Sequence, residues 1–219
     1  MRTIPVIFFI AKTSFSHKIV QNNQTASLTA DECNWWDGDY GVPIQCPPGT
    51  VARGACGSGR RDDCSSTMRP GDKTTTQLYC CRTKYQNDII TSVTDNGAQD
   101  CNQKHKNEGD QQECSSHEGQ MKPIFRLCGS GMNSDCKGDD GHHWSFTMDC
   151  CYTRDLEVAE QKFCVWSYGN YGNSVKCPNG YLAAGYCGSG KNADCPGDTY
   201  FGVFCCPYTD VSSDPVVYK

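Results

Sequence analysis

Eighteen cysteines are the residues of this chain whose type and spacing carry chemistry most clearly. They fall into three sets of six, and each set ends in an adjacent pair. In every set twelve residues separate the first cysteine from the second, and a Cys-Gly-Ser-Gly-x-x-x-Asp-Cys cassette precedes the pair. This pattern predicts oxidative cross-linking in one structural unit that is repeated three times. The cysteines expected to form disulfides are Cys33, Cys46, Cys56, Cys64, Cys80, Cys81, Cys101, Cys114, Cys128, Cys136, Cys150, Cys151, Cys164, Cys177, Cys187, Cys195, Cys205 and Cys206.

Six cysteines in each set allow fifteen connectivities. The cassette cysteines can close a hairpin, because its glycines supply the positive φ that a tight turn requires. Successive side chains of a strand point to opposite faces, so an adjacent cysteine pair can tether two different elements. We therefore expect each cassette to close on itself and the first two cysteines of a set to bond to its terminal pair. All nine bonds should then stay within their repeat.

Aromatic residues in glycine-rich segments are the best candidates for ligand contact, since exposed rings suit stacking against sugars or packing on a partner. Four rings of the first and third repeats are predicted to contact the ligand: Trp36, Tyr40, Tyr168 and Tyr171. We expect Trp36, Tyr40 and Tyr171 to be exposed. Trp35 and Trp166 are expected to be buried packing residues, because the chain has few aliphatic side chains. The middle repeat has lost these aromatic positions and should bind poorly.

The remaining polar residues indicate turns instead of catalysis or metal binding. A Gly-Asp pair follows every cassette, and Asp in such turns usually accepts hydrogen bonds from backbone amides. Calcium requires six or more converging oxygens, and zinc requires thiolates or more imidazoles than the single cluster His142-His143 offers. No metal or cofactor is therefore expected. Motifs of hydrolytic sites do not occur, so we predict no catalytic site.

Composition points to an oxidising compartment. Hydrophobic residues make up 37% of the chain with the cysteines included, which is thin for an ordinary core. Disulfides, each contributing about 2–4 kcal/mol, would compensate. The apolar run 4–11 after Arg2 predicts a signal peptide over residues 1–16, and a polar segment over residues 17–30 carries the only glycosylation sequon, at Asn23. We therefore expect a secreted, extracellular protein.

Charge and hydropathy argue against two classes of partner. The net charge is −5, and basic residues are scattered among acidic ones. Such a surface lacks the basic footprint of a nucleic-acid-binding protein. No apolar segment is long enough to span a membrane.

Short runs of β-branched and aromatic residues between turn residues predict an all-β chain. Strands are expected to lead into the cassettes or the cysteine pairs at Thr50–Ala52, Thr74–Tyr79, Tyr181–Ala184 and Tyr200–Phe204. Connecting strands are expected at Ile89–Val93, Leu156–Val158 and Val216–Tyr218. Flexible linkers would favour Gly, Ser and Pro, so these connections favour one closed domain over the alternative of three tandem disulfide-rich β modules. The segments are repeat 1 (31–83), repeat 2 with its connecting strand (84–153) and repeat 3 with connecting and C-terminal strands (154–219).

The landmarks of repeat 3 resemble the vitelline membrane outer layer protein I family. They are Trp166, Gly169, the segment Cys177-Pro178-Asn179-Gly180, Gly197-Asp198 and the strand end Phe204-Cys205-Cys206. The resemblance covers roughly residues 25–219, while the cysteine cassette departs from the family pattern. It implies a β-prism, in which three Greek-key sheets surround a pseudo-threefold axis.

The same resemblance implies a secreted structural or carbohydrate-binding protein of an extracellular coat, mucus or egg envelope. Its partners would be extracellular glycans or matrix glycoproteins. The alternative is a secreted cysteine-rich effector, such as a protease inhibitor or venom-type protein, because rigid loops bind with little ordering cost. The doublet Arg60-Arg61 in the first cassette would then be the contact.

Overall fold

The computed structural model is a disulfide-rich, nearly all-β protein. It describes residues 33–39, 41–47, 50–57, 64–65, 73–82, 101–107, 109–115, 119, 121–129, 135–152, 156–170, 172–188 and 195–210. Within these ranges the only helical element is a single 3₁₀ turn, Gln161–Phe163. None of the described segments forms a helix long and apolar enough to cross a membrane.

Seventeen strands lie in the described residues. Repeat 1 contains β1 (Cys33–Gly38), β2 (Ile44–Gln45), β3 (Thr50–Gly57), β4 (Cys64–Ser65), β5 (Lys73–Thr74) and β6 (Thr76–Arg82). Repeat 2 contains β7 (Cys101–Lys106), β8 (Gln111–Glu113), β9 (Ile124–Gly129), β10 (Cys136–Lys137), β11 (His143–Trp144) and β12 (Phe146–Cys151). Repeat 3 contains β13 (Leu156–Val158), β14 (Val165–Gly169), β15 (Ser174–Lys176), β16 (Tyr181–Gly188) and β17 (Phe201–Asp210).

The predicted strands that fall within the described residues are present, and most are longer than expected. β3 and β16 begin at the predicted residues and run on into the cassettes, and β6 and β17 continue through the cysteine pairs. β13 coincides with the predicted connecting strand. The connecting strands predicted at Ile89–Val93 and Val216–Tyr218 lie outside the described residues.

Each repeat forms a three-stranded antiparallel sheet and lends a short strand to a neighbouring sheet. The order β1-β6-β3 recurs as β7-β12-β9 and as β14-β17-β16. The lent strands follow a cycle: β2 joins the sheet of repeat 2, β8 joins that of repeat 3, and β15 joins that of repeat 1. We call β2, β8 and β15 the exported strands. The repeats are therefore not separate modules, while the placement of the sheets around a prism axis stays a prediction.

A β-bulge in each sheet receives the exported strand. The register of the pair β3–β6 shifts around Arg53, and equivalent shifts occur at Phe125 and Ala184. The carbonyl of each of these residues accepts a hydrogen bond from the amide of the cysteine that follows the incoming strand. The N···O distances are 2.7 Å from Cys177 to Arg53, 3.0 Å from Cys46 to Phe125 and 2.8 Å from Cys114 to Ala184. The bulges thus supply an acceptor for each exported strand.

All three repeats contribute to one core. Its largest fully buried side chains include Leu78, Phe146 and Phe201, one from each repeat. A second, smaller cluster also draws on every repeat, through Val51, Met121 and Leu182. Since burial of apolar area is the main favourable term in folding, the three repeats depend on one another for stability.

All eighteen cysteines are paired, and the nine bonds confirm the predicted pattern. The bonds within the cassettes are Cys56–Cys64, Cys128–Cys136 and Cys187–Cys195. The first cysteine bonds to the last in Cys33–Cys81, Cys101–Cys151 and Cys164–Cys206. The second bonds to the first of the pair in Cys46–Cys80, Cys114–Cys150 and Cys177–Cys205.

The adjacent pair serves two elements, as strand alternation predicted. Cys81 faces Cys33 across the strand pair β1–β6, with Cα atoms 4.0 Å apart. Cys80 points to the core face and bonds to Cys46, which follows the exported strand β2. The Cys46–Cys80 bond therefore links β2, which pairs with the sheet of repeat 2, covalently to its own repeat 1.

Removing the bond that holds an exported strand should cost more than opening a cassette. Loop-entropy arithmetic gives about 4 kcal/mol for Cys46–Cys80 and about 2.5 kcal/mol for Cys56–Cys64, because their sequence separations are 34 and 8. All four cysteines are fully buried, so the double variants Cys46→Ala/Cys80→Ala and Cys56→Ala/Cys64→Ala are matched in burial. Denaturant unfolding measures both losses. Equal losses, or a larger loss from the cassette, would contradict this prediction.

Candidate functional site

On the face turned away from the main core, each of the three sheets carries an equivalent row of four residues. A row runs across the four strands of a sheet in register. Its first two members are the residue two positions after the first cysteine of a set and the residue directly before the cysteine pair. Its third member is a residue of the third strand, and its fourth is the residue directly before the second cysteine of a set. We call them row 1 (Trp35, Tyr79, Gly54, Lys176), row 2 (Gln103, Asp149, Arg126, Gln45) and row 3 (Trp166, Phe204, Gly185, Glu113). The fourth member always comes from another repeat.

Row 3 presents aromatic rings with polar groups at their edges. The Trp166 ring packs on Phe204, with ring centroids 4.9 Å apart. Glu113 reaches across from its exported strand and accepts hydrogen bonds from the Trp166 indole and from the side chain of Gln161. The indole is thereby fixed by packing on one side and by a carboxylate at its edge.

Tyr168 extends this face along the edge strand β14. Its ring is parallel to that of Trp166 within 11°, and the centroids are 5.9 Å apart. The Tyr168 hydroxyl accepts a hydrogen bond of 2.7 Å from Gln111 Nε2, which lies on the same exported strand as Glu113. A Cβ at Gly202 would lie 2.7 Å from the Tyr168 ring, so the ring occupies the space that a side chain there would need.

The two titratable groups of this face have raised pKa values. Desolvation raises the pKa of the Glu113 carboxyl above 4.5, and the hydrogen bonds from Gln161 and Trp166 offset only part of that effect. Desolvation likewise raises the pKa of the Tyr168 hydroxyl, against the opposing hydrogen bond from Gln111. The Tyr168 phenol is therefore neutral at neutral pH, and this face offers a phenol, an amide and a carboxyl group beside two rings.

Row 1 is aromatic as well but carries a cation. Trp35 and Tyr79 pack with ring centroids 4.7 Å apart. Lys176 lies opposite Gly54 in the register, and its Nζ is 4.3 Å from the Tyr79 centroid and 5.7 Å from that of Trp35. The lysine stem crosses the strand at a glycine, so no side chain separates the ammonium from the rings.

Row 2 is ionic and confirms that the middle repeat lacks the aromatic face. Arg126 Nε lies 2.7 Å from Asp149 Oδ2, and Gln103 donates to the same carboxylate. Beside this row the His105 ring stacks on Trp144 at 4.1 Å.

Asp140 organises the turn next to that stack. Its carboxylate accepts hydrogen bonds from the His142 amide and the Trp144 indole, and it lies 3.6 Å from His105 Nε2. Desolvation raises its pKa, but these hydrogen bonds and the charges of His105 and His142 outweigh that effect, so the pKa lies below its usual value. In repeat 2 the turn role is thus performed by Asp140, the residue after the Gly138-Asp139 pair to which the sequence had assigned it.

The structure places the predicted ligand-binding residues unevenly. Tyr168 is half-exposed on the outer face of row 3. The expected exposure of Trp36 is wrong: its ring packs on the core, and its buried indole N–H has no hydrogen-bond partner among the described residues. Trp35 is half-buried and belongs to neither core cluster, so its expected burial is wrong. Trp166 is half-buried and packs against the second core cluster, as expected of a packing residue. Strand alternation explains why Trp36, and not Trp35, packs on the main core, because Trp36 lies opposite buried Leu78.

Several predicted residues lie outside the described part of the chain. They are the predicted signal peptide 1–16, Asn23, Tyr40, the doublet Arg60-Arg61 and Tyr171.

Sequence reasoning missed the partners that come from other strands. Lys176, Glu113 and Gln45 occupy the same position, directly before the second cysteine of a set. Tyr79, Asp149 and Phe204 likewise share the position before the cysteine pair. Counting from the cysteines would have aligned these residues, but only the strand exchange shows which of them meet.

No group of three or more His, Cys, Asp or Glu side chains in the described ranges is placed to hold a metal ion. A comparison of the chain with protein-family models, curated proteins and solved structures finds no match. The resemblance of repeat 3 to the vitelline membrane outer layer family therefore stays a prediction, and functional inference depends on the geometry of the rows.

Gly202→Ala should destabilise the protein by about 1–3 kcal/mol, because the added Cβ displaces the Tyr168 ring. In a Tyr168→Ala background the same substitution should cost clearly less. A double-mutant cycle by denaturant unfolding measures this coupling. An identical cost in both backgrounds would show that the ring does not rest on this glycine.

Glu113→Gln should change how stability depends on pH. The raised pKa of Glu113 means that its ionisation opposes folding, so wild-type stability falls as pH rises from 4.5 through the folded-state pKa. The variant lacks this loss and should gain relative to wild type between about pH 4 and about pH 7. Thermal unfolding at both pH values measures the difference, and a constant difference would contradict the prediction.

Proposed function

We propose that this protein is a secreted structural or carbohydrate-binding protein of an extracellular coat, mucus or egg envelope. We propose further that the face formed by Trp166, Tyr168, Gln111 and Glu113 is its main carbohydrate contact. The single observation that carries the second statement is the parallel Trp166–Tyr168 pair, half-buried and held at its edges by an amide and a carboxylate.

This arrangement suits the two sides of a sugar. The C–H groups of a pyranose face are apolar and can pack on the rings, while its hydroxyls can exchange hydrogen bonds with Gln111 and Glu113. A few placed polar groups beside aromatic surface are the usual make-up of small-molecule sites. The rings are pre-positioned by Phe204 and by the exported strand, so binding needs little ordering of side chains.

The covalent framework supports the extracellular part of the proposal. A chain in which every cysteine is oxidised fits an oxidising compartment. Exported strands tied back by disulfides also give a body that resists unfolding and proteolysis, which a coat protein needs. The proposed partners are extracellular glycans or matrix glycoproteins.

Tyr168→Ala should weaken binding to the best neutral glycan on an array by about tenfold or more, because it removes one of two stacking rings. Tyr168→Phe keeps the ring and should retain most of the affinity. Trp144→Ala removes a ring from the middle repeat and is the matched control, which should bind as wild type does.

Two parallel assays of the oxidised protein separate this function from that of a secreted inhibitor. One is the glycan array, and the other is an inhibition assay against trypsin-like proteases. Wild-type binding by Tyr168→Ala would rule out this face as the contact. Protease inhibition without glycan binding would overturn the proposed function itself.

A further inference from the structure

The aromatic face of row 1 differs from that of row 3 in the charge beside the rings. Lys176 is exposed, and its ammonium lies above the Trp35–Tyr79 pair. In row 3 the equivalent position is Glu113, a carboxylate. An anionic ligand is therefore attracted to the first face and repelled by the second.

Lys176 keeps its hydrogen-bonding capacity for a ligand. The three ion pairs of the described residues involve other side chains, so no carboxylate there lies within ion-pair distance of Lys176. The ring contacts attract the charge but do not use the three N–H donors as a carboxylate would. By contrast, Arg126 of row 2 is neutralised by Asp149 at 2.7 Å. Among the three rows, only row 1 combines rings with a cation that has no acidic partner in the described chain.

We propose that row 1 is a second binding site that takes an anionic saccharide. A sulfate or carboxylate of the ligand contacts Lys176, and a sugar ring packs on the Trp35–Tyr79 pair. The inference shares with the proposed function the premise that these faces bind sugars, but it depends on different residues. The site exists only because β15 of repeat 3 completes the sheet of repeat 1.

Calorimetric titration tests the site with a sulfated oligosaccharide, its desulfated counterpart and a uronic-acid oligomer. Wild type should bind the sulfated or the uronic ligand at least about tenfold more tightly than the desulfated one, and the preferred anion identifies the source. Lys176→Gln should lose about tenfold in affinity for that anion, since one charge-assisted contact disappears. Lys176→Arg should retain the affinity.

Two controls make the result specific. Lys162→Gln removes the same charge from an exposed lysine that pairs with Glu160, and it should bind as wild type does. Tyr168→Ala should keep anion binding, so failure of the row 3 face and failure of this site are seen separately. Equal affinity of wild type for charged and uncharged ligands would overturn the proposal. Wild-type affinity of Lys176→Gln, or an equal loss in Lys162→Gln, would also overturn it.

Discussion

The second cysteine of each repeat is the junction on which the rest of the structure depends. Its amide donates to the bulge carbonyl of a neighbouring repeat, while its sulfur bonds to the cysteine pair of its own repeat. Cys46, Cys114 and Cys177 therefore each link two sheets, and together they close the cycle of exported strands. These residues are buried, so hydrogen bond and disulfide are both shielded from water. A chain with few aliphatic residues gains in this way a core shared by three small sheets.

The two aromatic faces follow from this junction. The residue before the second cysteine lies on the outer face of the neighbouring sheet, where it meets the rings of another repeat. Lys176 meets Trp35 and Tyr79, and Glu113 meets Trp166. Because the framework is fixed by disulfides, the side chains at these positions can differ in charge without changing the fold. Three copies of one unit thus present a cationic, an ionic and an acidic row, and the proposed ligands follow those differences.

Much of the fold was predictable from the sequence because cysteine spacing and strand alternation are local. The main strands, the three cassette bonds and the bonding of the first two cysteines to the terminal pair follow from the cysteine spacing. Which member of the pair each of the first two cysteines takes was left open by the sequence and is seen only in the structure. The strand exchange was not predictable, since β2 has only two residues and carries no signal for the edge that it joins. The faces of Trp35 and Trp36 were predicted wrongly because the prediction was based on composition. Which face a strand residue occupies is decided by its odd or even position along the strand. Trp35 lies two residues after Cys33 and therefore on the same face of the strand, opposite Tyr79, just as Cys33 lies opposite Cys81. Tyr168 was predicted as a ligand contact because it lies in a glycine-rich aromatic segment. Its hydrogen-bond partner Gln111 lies 57 residues away in the chain and could not be predicted in this way.

The most direct test of this account is native-state hydrogen exchange of the oxidised protein in the EX2 regime, in which the exchange rate of each amide reports the free energy of its opening. The account predicts that amides of β2, β8 and β15 exchange through the same global unfolding as those of the central strands β6, β12 and β17. They should show one common free energy and one common denaturant dependence, because each exported strand is bonded to two repeats. Amides of one repeat that exchange at a distinctly lower free energy, while the other two remain protected, would show that the repeats are independent and would contradict the account.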